Sequence, residues 1–324
     1  MSGRFLIVGG AGFIGSHFVS RLLSDRVAEG VTVYDNFSSG REWHYAEWMD
    51  DHRLSVIRAD VREHDRLVSS MVGHEVVIHL ASNPDIARAV SEPAVDFEQG
   101  TALTHGVVEA ARQAGVRTIL YASGSGVYGD LGEVEASEDD GALVPISTYG
   151  ASKLAGEALI GAYCFMFGLV GRAFRFGNVV GSRQSHGVGF DFVRRLAVNP
   201  TRLRILGDGR QSKSYIDVDD VVEAVLTALR RESAPFRVYN VATGDYVTVR
   251  EIADLAVEVV GLRPGSVAYE FTGGDRGWRG DVPIVRLNTD RIRALGWANR
   301  WSAAEALRNS LQALRLELGR DEVA

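Results

Sequence analysis

The stretch "IVGGAGFIGSHFV" at 7–19 constrains this chain more than any other. It carries Gly10, Gly12 and Gly15 in the spacing G-x-G-x-x-G, with Gly9 in front. The apolar run "RFLIVG" (4–9) before it reads as a buried strand. The run after it, "FIGSHFVSRLLSD" (13–25), reads as a helix with Phe13, Phe18, Leu22 and Leu23 near one face. A glycine turn between a strand and a helix lets the backbone approach a pyrophosphate, and the helix N-terminus then offers free N–H groups to the anion. Asp35 closes the next apolar run, "VTVYD" (31–35). A carboxylate there can accept hydrogen bonds from the ribose hydroxyls of NAD and repels the 2′-phosphate of NADP. Arg41 lies nearby, so NADP is not strictly excluded. The stretch therefore predicts a dinucleotide site.

The same alternation continues. Apolar runs at 54–60, 75–81, 116–123 and 169–178 read as strands, and 102–115 and 147–168 as helices, the last capped by Ser147 or Thr148. Continuous apolar strands separated by helices argue an α/β chain with a parallel, Rossmann-type doubly wound sheet covered on both faces. After residue 178 the pattern loosens into a helix near 188–197, a strand–helix pair at 214–232, a strand at 237–242 and helices at 248–260 and 302–318. The expectation is an NAD-binding domain over 1–178 and a smaller α/β substrate-binding domain mainly over 179–324, with later strands free to rejoin the first sheet.

Composition narrows the function classes. Hydrophobic residues are 46% and charged residues 24%, an ordinary globular balance. A net charge of -7 argues against non-specific nucleic-acid binding. No apolar stretch approaches the roughly 20 residues of a membrane span, and "MSGRFLIVGG" does not read as a signal peptide. Cys164 is the one cysteine, which removes intramolecular disulfides and cysteine metal clusters and fits a reducing cytoplasm. The eight histidines show no ligand spacing, so no metal site is expected.

"YGASK" at 149–153 places Tyr149 and Lys153 four apart at the start of a helix, hence on one face. A free tyrosine titrates near about 10 and is a poor base at neutral pH. A nearby ammonium and a positive nicotinamide favour the phenolate and make the pair a usable acid–base group. Asp60, closing the third strand, is placed to meet an adenine or to cap a helix.

With "HLAS" (79–82), "VYGD" (127–130), "FRFGNVVG" (174–181) and "KSYIDVDDVVEAV" (213–225), these residues resemble the extended short-chain dehydrogenase/reductase family. Within it they are most similar to nucleotide-sugar epimerases of the UDP-glucose/UDP-galactose 4-epimerase kind, including "RGWRGDV" (276–282). The resemblance implies tightly held NAD, a UDP-sugar substrate and a homodimer. By analogy Tyr149 takes the 4-hydroxyl proton, the C4 hydride passes to NAD, and the 4-keto sugar rotates and takes the hydride back. Lys153 holds the nicotinamide ribose. The resemblance carries cofactor contacts onto Gly9, Gly12, Phe13 and Ile14 in the glycine loop, and onto Asp35, Asn36, Ser39 and Gly40 after the second strand. Further contacts fall on Asp60, Val61, Leu80, Ala81, Ser82 and Ser123. It carries substrate contacts onto Asn178, Arg183, Val188, Lys213, and Arg276 or Arg279.

The chain departs from the family pattern at several of these points. The catalytic serine or threonine position is Gly124, flanked by Ser123 and Ser125; Ser125 is expected to supply the hydroxyl, and both serines equally read as backbone-bonding loop residues. A family asparagine falls on Gly100, and "ASNPD" lacks a frequent lysine. Lys213 stands where arginine is usual, giving charge without a two-pronged donor. Arg183 beside a sugar would suit a C6 carboxylate and a UDP-glucuronate 4-epimerase. The "GSG" loop lacks the acids that drive dehydration, so epimerisation ranks above it. A protein that binds NAD and nucleotide sugar with impaired catalysis is the other reading. A dimer would pair the helices near 95–114 and 148–168 through residues such as Leu154, Ala158, Leu159 and Ala162.

Overall fold

The computed structural model describes residues 3–25 and 28–318. The first half alternates strand and helix: β1 (Arg4–Val8), α1 (Phe13–Ser24), β2 (Gly30–Asp35), β3 (Leu54–Arg58), α2 (His64–Met71) and β4 (Val76–His79). A helical turn α3 (Ala94–Asp96) runs through a π-helical turn, Phe97–Ala102, into α4 (Leu103–Ala114). Then come β5 (Thr118–Gly124), a 3-10 turn at Ser125–Tyr128, α5 (Thr148–Phe167) and β6 (Val170–Phe176). The second half holds β7 (Asn178–Val180), α6 (Val188–Val198), β8 (Arg202–Ile205), β9 (Ser212–Lys213), β10 (Tyr215–Asp217), α7 (Val218–Arg231) and β11 (Phe236–Val241). It ends with β12 (Val247–Thr248), α8 (Val249–Val259), β13 (Ala268–Phe271), α9 (Asp290–Ala294) and α10 (Ala303–Glu317).

Seven strands make one parallel sheet in the order β11-β6-β5-β4-β1-β2-β3. Alternate residues of β1 face opposite layers, as the pleat requires. Phe5 and Ile7 pack with Phe18, Leu22, Val221 and Leu226 of α1 and α7. Leu6 and Val8 pack with Leu67, Val107 and Ile160 of α2, α4 and α5. Both faces are buried, which is why the strands read as unbroken apolar runs. The order reverses at β1, between β2 and β4, so the loops leaving β1 and β4 part there and open a crevice at the carboxyl edge. β11, far beyond residue 178 in the chain, forms one edge of this sheet beside β6.

A separate core closes the second lobe, with Val193, Leu203, Ile205, Ile252 and Leu307 at its centre. Its sheets have two strands each, β10–β7, β12–β9 and β13–β8. β10 matches the strand expected at the start of 214–232, whereas the other strands of two to four residues, and the eight-residue α2, carry too short a period to be read from sequence. The expected strand at 75–81 is shorter than its apolar run: it ends at His79, because the N–H groups of Leu80 and Ala81 both turn to the carbonyl of Val8.

Candidate active site

The glycine loop has the close approaches a dinucleotide cradle needs. Gly9 has φ +85°, and a Cβ there would lie 2.8 Å from the Ala81 nitrogen, so no other residue fits between the β1 and β4 loops. Gly12 caps α1 without a side-chain acceptor, and no acidic residue sits in the first turn. Its N–H groups stay open to an anion. Phe13 is buried and Ile14 packs on the core behind the loop. At the end of β2, Asp35 accepts from the Ala11 N–H (3.0 Å) and the Phe37 N–H (2.8 Å). Burial raises its carboxyl despite these bonds. A Cβ on Gly40 would meet the Ala11 Cβ at 2.7 Å, so the loop holding Asn36 and Ser39 lies flat on the glycine turn. These residues fit NAD: an uncapped helix start for the pyrophosphate and a buried carboxylate for the ribose.

The Asp60 side chain does not cap α2. Arg62 holds it by two bonds of 2.8 and 2.9 Å, and Asn36 Nδ2 donates to it at 3.0 Å. The guanidinium keeps its carboxyl well below the usual range. Glu63, not Asp60, occupies the α2 N-cap position. Val61 is buried beside it.

α5 starts where Ser147 accepts from the Gly150 N–H at 3.1 Å. Thr148 instead donates to Asp96 at 2.7 Å. The helix turns Tyr149 and Lys153 inward. Lys153 Nζ donates to the Ala122 carbonyl at 2.8 Å and lies 5.4 Å from the Tyr149 ring centre. Desolvation pushes the Tyr149 hydroxyl up to about 12, while Ser82 hydrogen-bonds to it and opposes the rise. Desolvation brings Lys153 down to about 8, against the pull of Asp96 and Glu157. Without the cofactor's charge, Tyr149 is thus a proton donor at neutral pH, held ready rather than ionised.

Around this pair the departures from the family pattern acquire physical reasons. Gly124 ends β5 in extended backbone (φ -158°), and a Cβ there would meet nothing within 4 Å. The absent side chain leaves open space at the carboxyl edge. Ser125 follows in the 3-10 turn and is half-buried. The Ser123 hydroxyl donates to Glu157 Oε1 at 2.5 Å. At Gly100, in the π-helical turn, a Cβ would meet Ser152 Oγ at 2.5 Å and its Cβ at 2.7 Å. Ser152 fills the volume an asparagine would need. His79 is buried against Thr104 and kept neutral by desolvation, which lowers it to about 3.

The substrate candidates divide. β10 pairs with β7, so Asn178 lies against Tyr215 two residues past Lys213. Lys213 Nζ bonds Asp281 Oδ1 at 2.6 Å, and Arg276 donates to the Asp281 carbonyl at 2.6 Å and to Asp130 Oδ2 at 2.5 Å. Asp130 closes the "VYGD" turn, so this cluster adjoins the catalytic loop. Arg279 is exposed, and Gly280 beside it packs on Ile146 and Ser147 at the α5 start. Val188 opens α6 and packs on the second-lobe core. Arg183 is turned elsewhere: its guanidinium donates to Ser16 O (3.2 Å), Ser20 Oγ (3.1 Å) and Glu47 (3.1 Å). It binds α1 to the second lobe.

A model of the NAD dependent epimerase/dehydratase family matches residues 5–242. The chain belongs to that family. Among curated members it is 32% identical to a UDP-glucose 4-epimerase of Mycolicibacterium smegmatis, over 96% of this chain and 98% of that protein. Among solved members, a UDP-galactose 4-epimerase superposes with a TM-score of 0.86 at 37% identity, covering 97% of this chain and 99% of the other. A dTDP-glucose 4,6-dehydratase from Streptomyces venezuelae, with NAD bound, gives 0.89 at 27% identity, covering 98% of each chain. Family membership makes this an NAD-dependent enzyme fold, and the shared architecture spans both branches of the family. Sequence reading found the glycine loop, Tyr149 and Lys153. It gave no role to Asp96 and Glu157, nor to Asp130 and Arg175, although the last two stand inside the motifs "VYGD" and "FRFGNVVG".

Proposed function

We propose that the protein is a UDP-hexose 4-epimerase of the UDP-glucose/UDP-galactose type. The observation that carries this reading is the Tyr149–Lys153 pair on the inner face of α5, beside a Gly124–Gly126 turn that offers no acid. An acid–base pair alone suits reversible oxidation at C4; loss of water needs further proton donors. Bound NAD supplies the reversible hydride acceptor. Tyr149 takes the 4-hydroxyl proton and returns it, and Lys153 stabilises the phenolate. Lys213, Asn178 and Arg276 hold the diphosphate while the sugar turns over in the space beside Gly124. Lys213 and Arg276 exchange their Asp281 and Asp130 partners for the phosphates.

A homodimer in a reducing cytoplasm belongs to this reading. Ala158 and Ala162 are exposed on α5, with Phe165 75% and Met166 72% exposed at its end and Phe97 63% exposed in the π-helical turn. That apolar strip supports pairing with a second copy. Leu154 is not part of it, since it packs inward on Val127 and Tyr128.

The test is to mix the purified protein with UDP-glucose, UDP-galactose and UDP-glucuronate separately, without added NAD, and to separate the products. Interconversion of the two neutral sugars is expected. Turnover of the uronate alone overturns the substrate assignment. No product from any of them, even with NAD added, supports a binding protein instead.

A further inference from the structure

α5 presents a third polar residue inward, one turn below Lys153. Glu157 is only 4% exposed. Arg175 of β6 grips it with Nε to Oε1 at 3.0 Å and Nη2 to Oε2 at 2.7 Å. Ser123 of β5 adds a bond of 2.5 Å to Oε1. Arg175 also lies over the Tyr128 ring, 4.7 Å from its centre, and Tyr128 donates to Asn240 of β11 at 2.8 Å. A buried ion pair of this kind recovers its desolvation cost poorly, and removing it in favour of apolar residues is often neutral or stabilising. Stability alone does not explain it.

We infer that Glu157, held by Arg175 and Ser123, is a positioning residue that sets the charge state of Lys153 and thereby the ionisation of Tyr149. This rests on the proposed role of Tyr149 as proton acceptor. The geometry has two parts. Ser123 follows Ala122, whose carbonyl holds Lys153 Nζ at 2.8 Å, so the bond to Glu157 fixes the carbonyl that aims the lysine. Glu157, one helical turn from Lys153 on α5, is also a second anion, with Asp96 of α3, whose charge favours the buried ammonium.

The charged and titratable groups around Lys153 are few. From its own helix it meets Tyr149 and Glu157, from α3 Asp96, from β4 His79 and from β5 Tyr121. His79 stays neutral and Tyr121 is pushed up by burial, so Asp96 and Glu157 are the two carboxylates that hold the proton on Lys153. Neutralising Glu157 removes one of them and leaves the Arg175 cation. Lys153 then sheds its proton more readily, and the cation 5.4 Å from the Tyr149 ring centre, which favours the phenolate, is lost.

The test uses the NAD-loaded protein and needs no substrate. The near-ultraviolet phenolate band is titrated with pH, and Tyr149 is isolated by subtracting the Tyr149→Phe variant of each background. Glu157→Gln is expected to move the Tyr149 titration upward by about one pH unit or more. Glu157→Asp, which keeps the charge, is expected to restore most of it. The double variant Glu157→Gln/Arg175→Gln leaves no unpaired guanidinium and carries the test should the single one not fold. An unmoved titration alongside a lowered melting temperature overturns the inference and makes the cluster purely structural. Because no sugar is used, failure here is separate from failure to epimerise UDP-hexoses.

Discussion

At the scale of single residues, two glycines that look like losses in the sequence prove to be different things. Gly124 leaves open space in extended backbone, so a side chain there costs nothing sterically. Gly124→Ser is expected to raise the turnover number by about tenfold, by giving the substrate hydroxyl a positioned partner. Steady-state kinetics check it; unchanged turnover means that Ser125 or a water already does the work. The sequence marks the missing hydroxyl but not the space around it. Arg183 shows the same limit in reverse. The family resemblance carries a substrate contact onto it, and its guanidinium meets Ser16, Ser20 and Glu47, from a residue whose φ is +64°. Backbone turns of that kind leave no trace in residue type.

At the scale of elements, α5 organises the site. Its positions 149, 153 and 157 share one face by helical period, and Ser147 and Gly168 bound it, the latter in the left-handed conformation that ends helices. All of this is written in local sequence. What it packs against is not. The π-helical turn at Phe97–Ala102 brings Gly100 against Ser152 so closely that no Cβ fits. Gly100→Asn is therefore expected to destabilise the fold by about 1–3 kcal/mol. Chemical denaturation measures it, and adding Ser152→Ala should recover part of the loss. Full stability in the single variant would mean that the turn yields easily.

At the scale of the whole molecule, the substrate side is assembled from remote pieces. Lys213, Asp281, Arg276 and Asp130 meet although they span nearly half the chain. Lys213→Ala removes one charge-assisted contact and is expected to raise KM for the UDP-sugar about tenfold with kcat little changed. A fall in kcat at constant KM would contradict a phosphate-holding role. The exposed strip on α5 makes a second prediction at this scale. Ala158→Glu buries a charge in the proposed dimer contact and should yield a monomer by size-exclusion chromatography with NAD still bound. A persisting dimer would place the interface elsewhere.

The sequence by itself determined the parallel sheet, the dinucleotide loop and the Tyr149–Lys153 pair, because each follows from periods and turns within about twenty consecutive residues. Apolar runs buried on both faces, glycines forced by close backbone approach and a four-residue helical spacing are local facts. The tertiary structure decided the rest: that β11 returns to the first sheet, that Arg183 faces α1, that Ser152 fills the volume beside Gly100, and that Glu157 and Arg175 lock beneath Lys153. Each of these depends on which side chains meet across the sheet and between the lobes. No local pattern records such a meeting, since the energy that enforces it resides in burial and pairing between residues far apart in the chain.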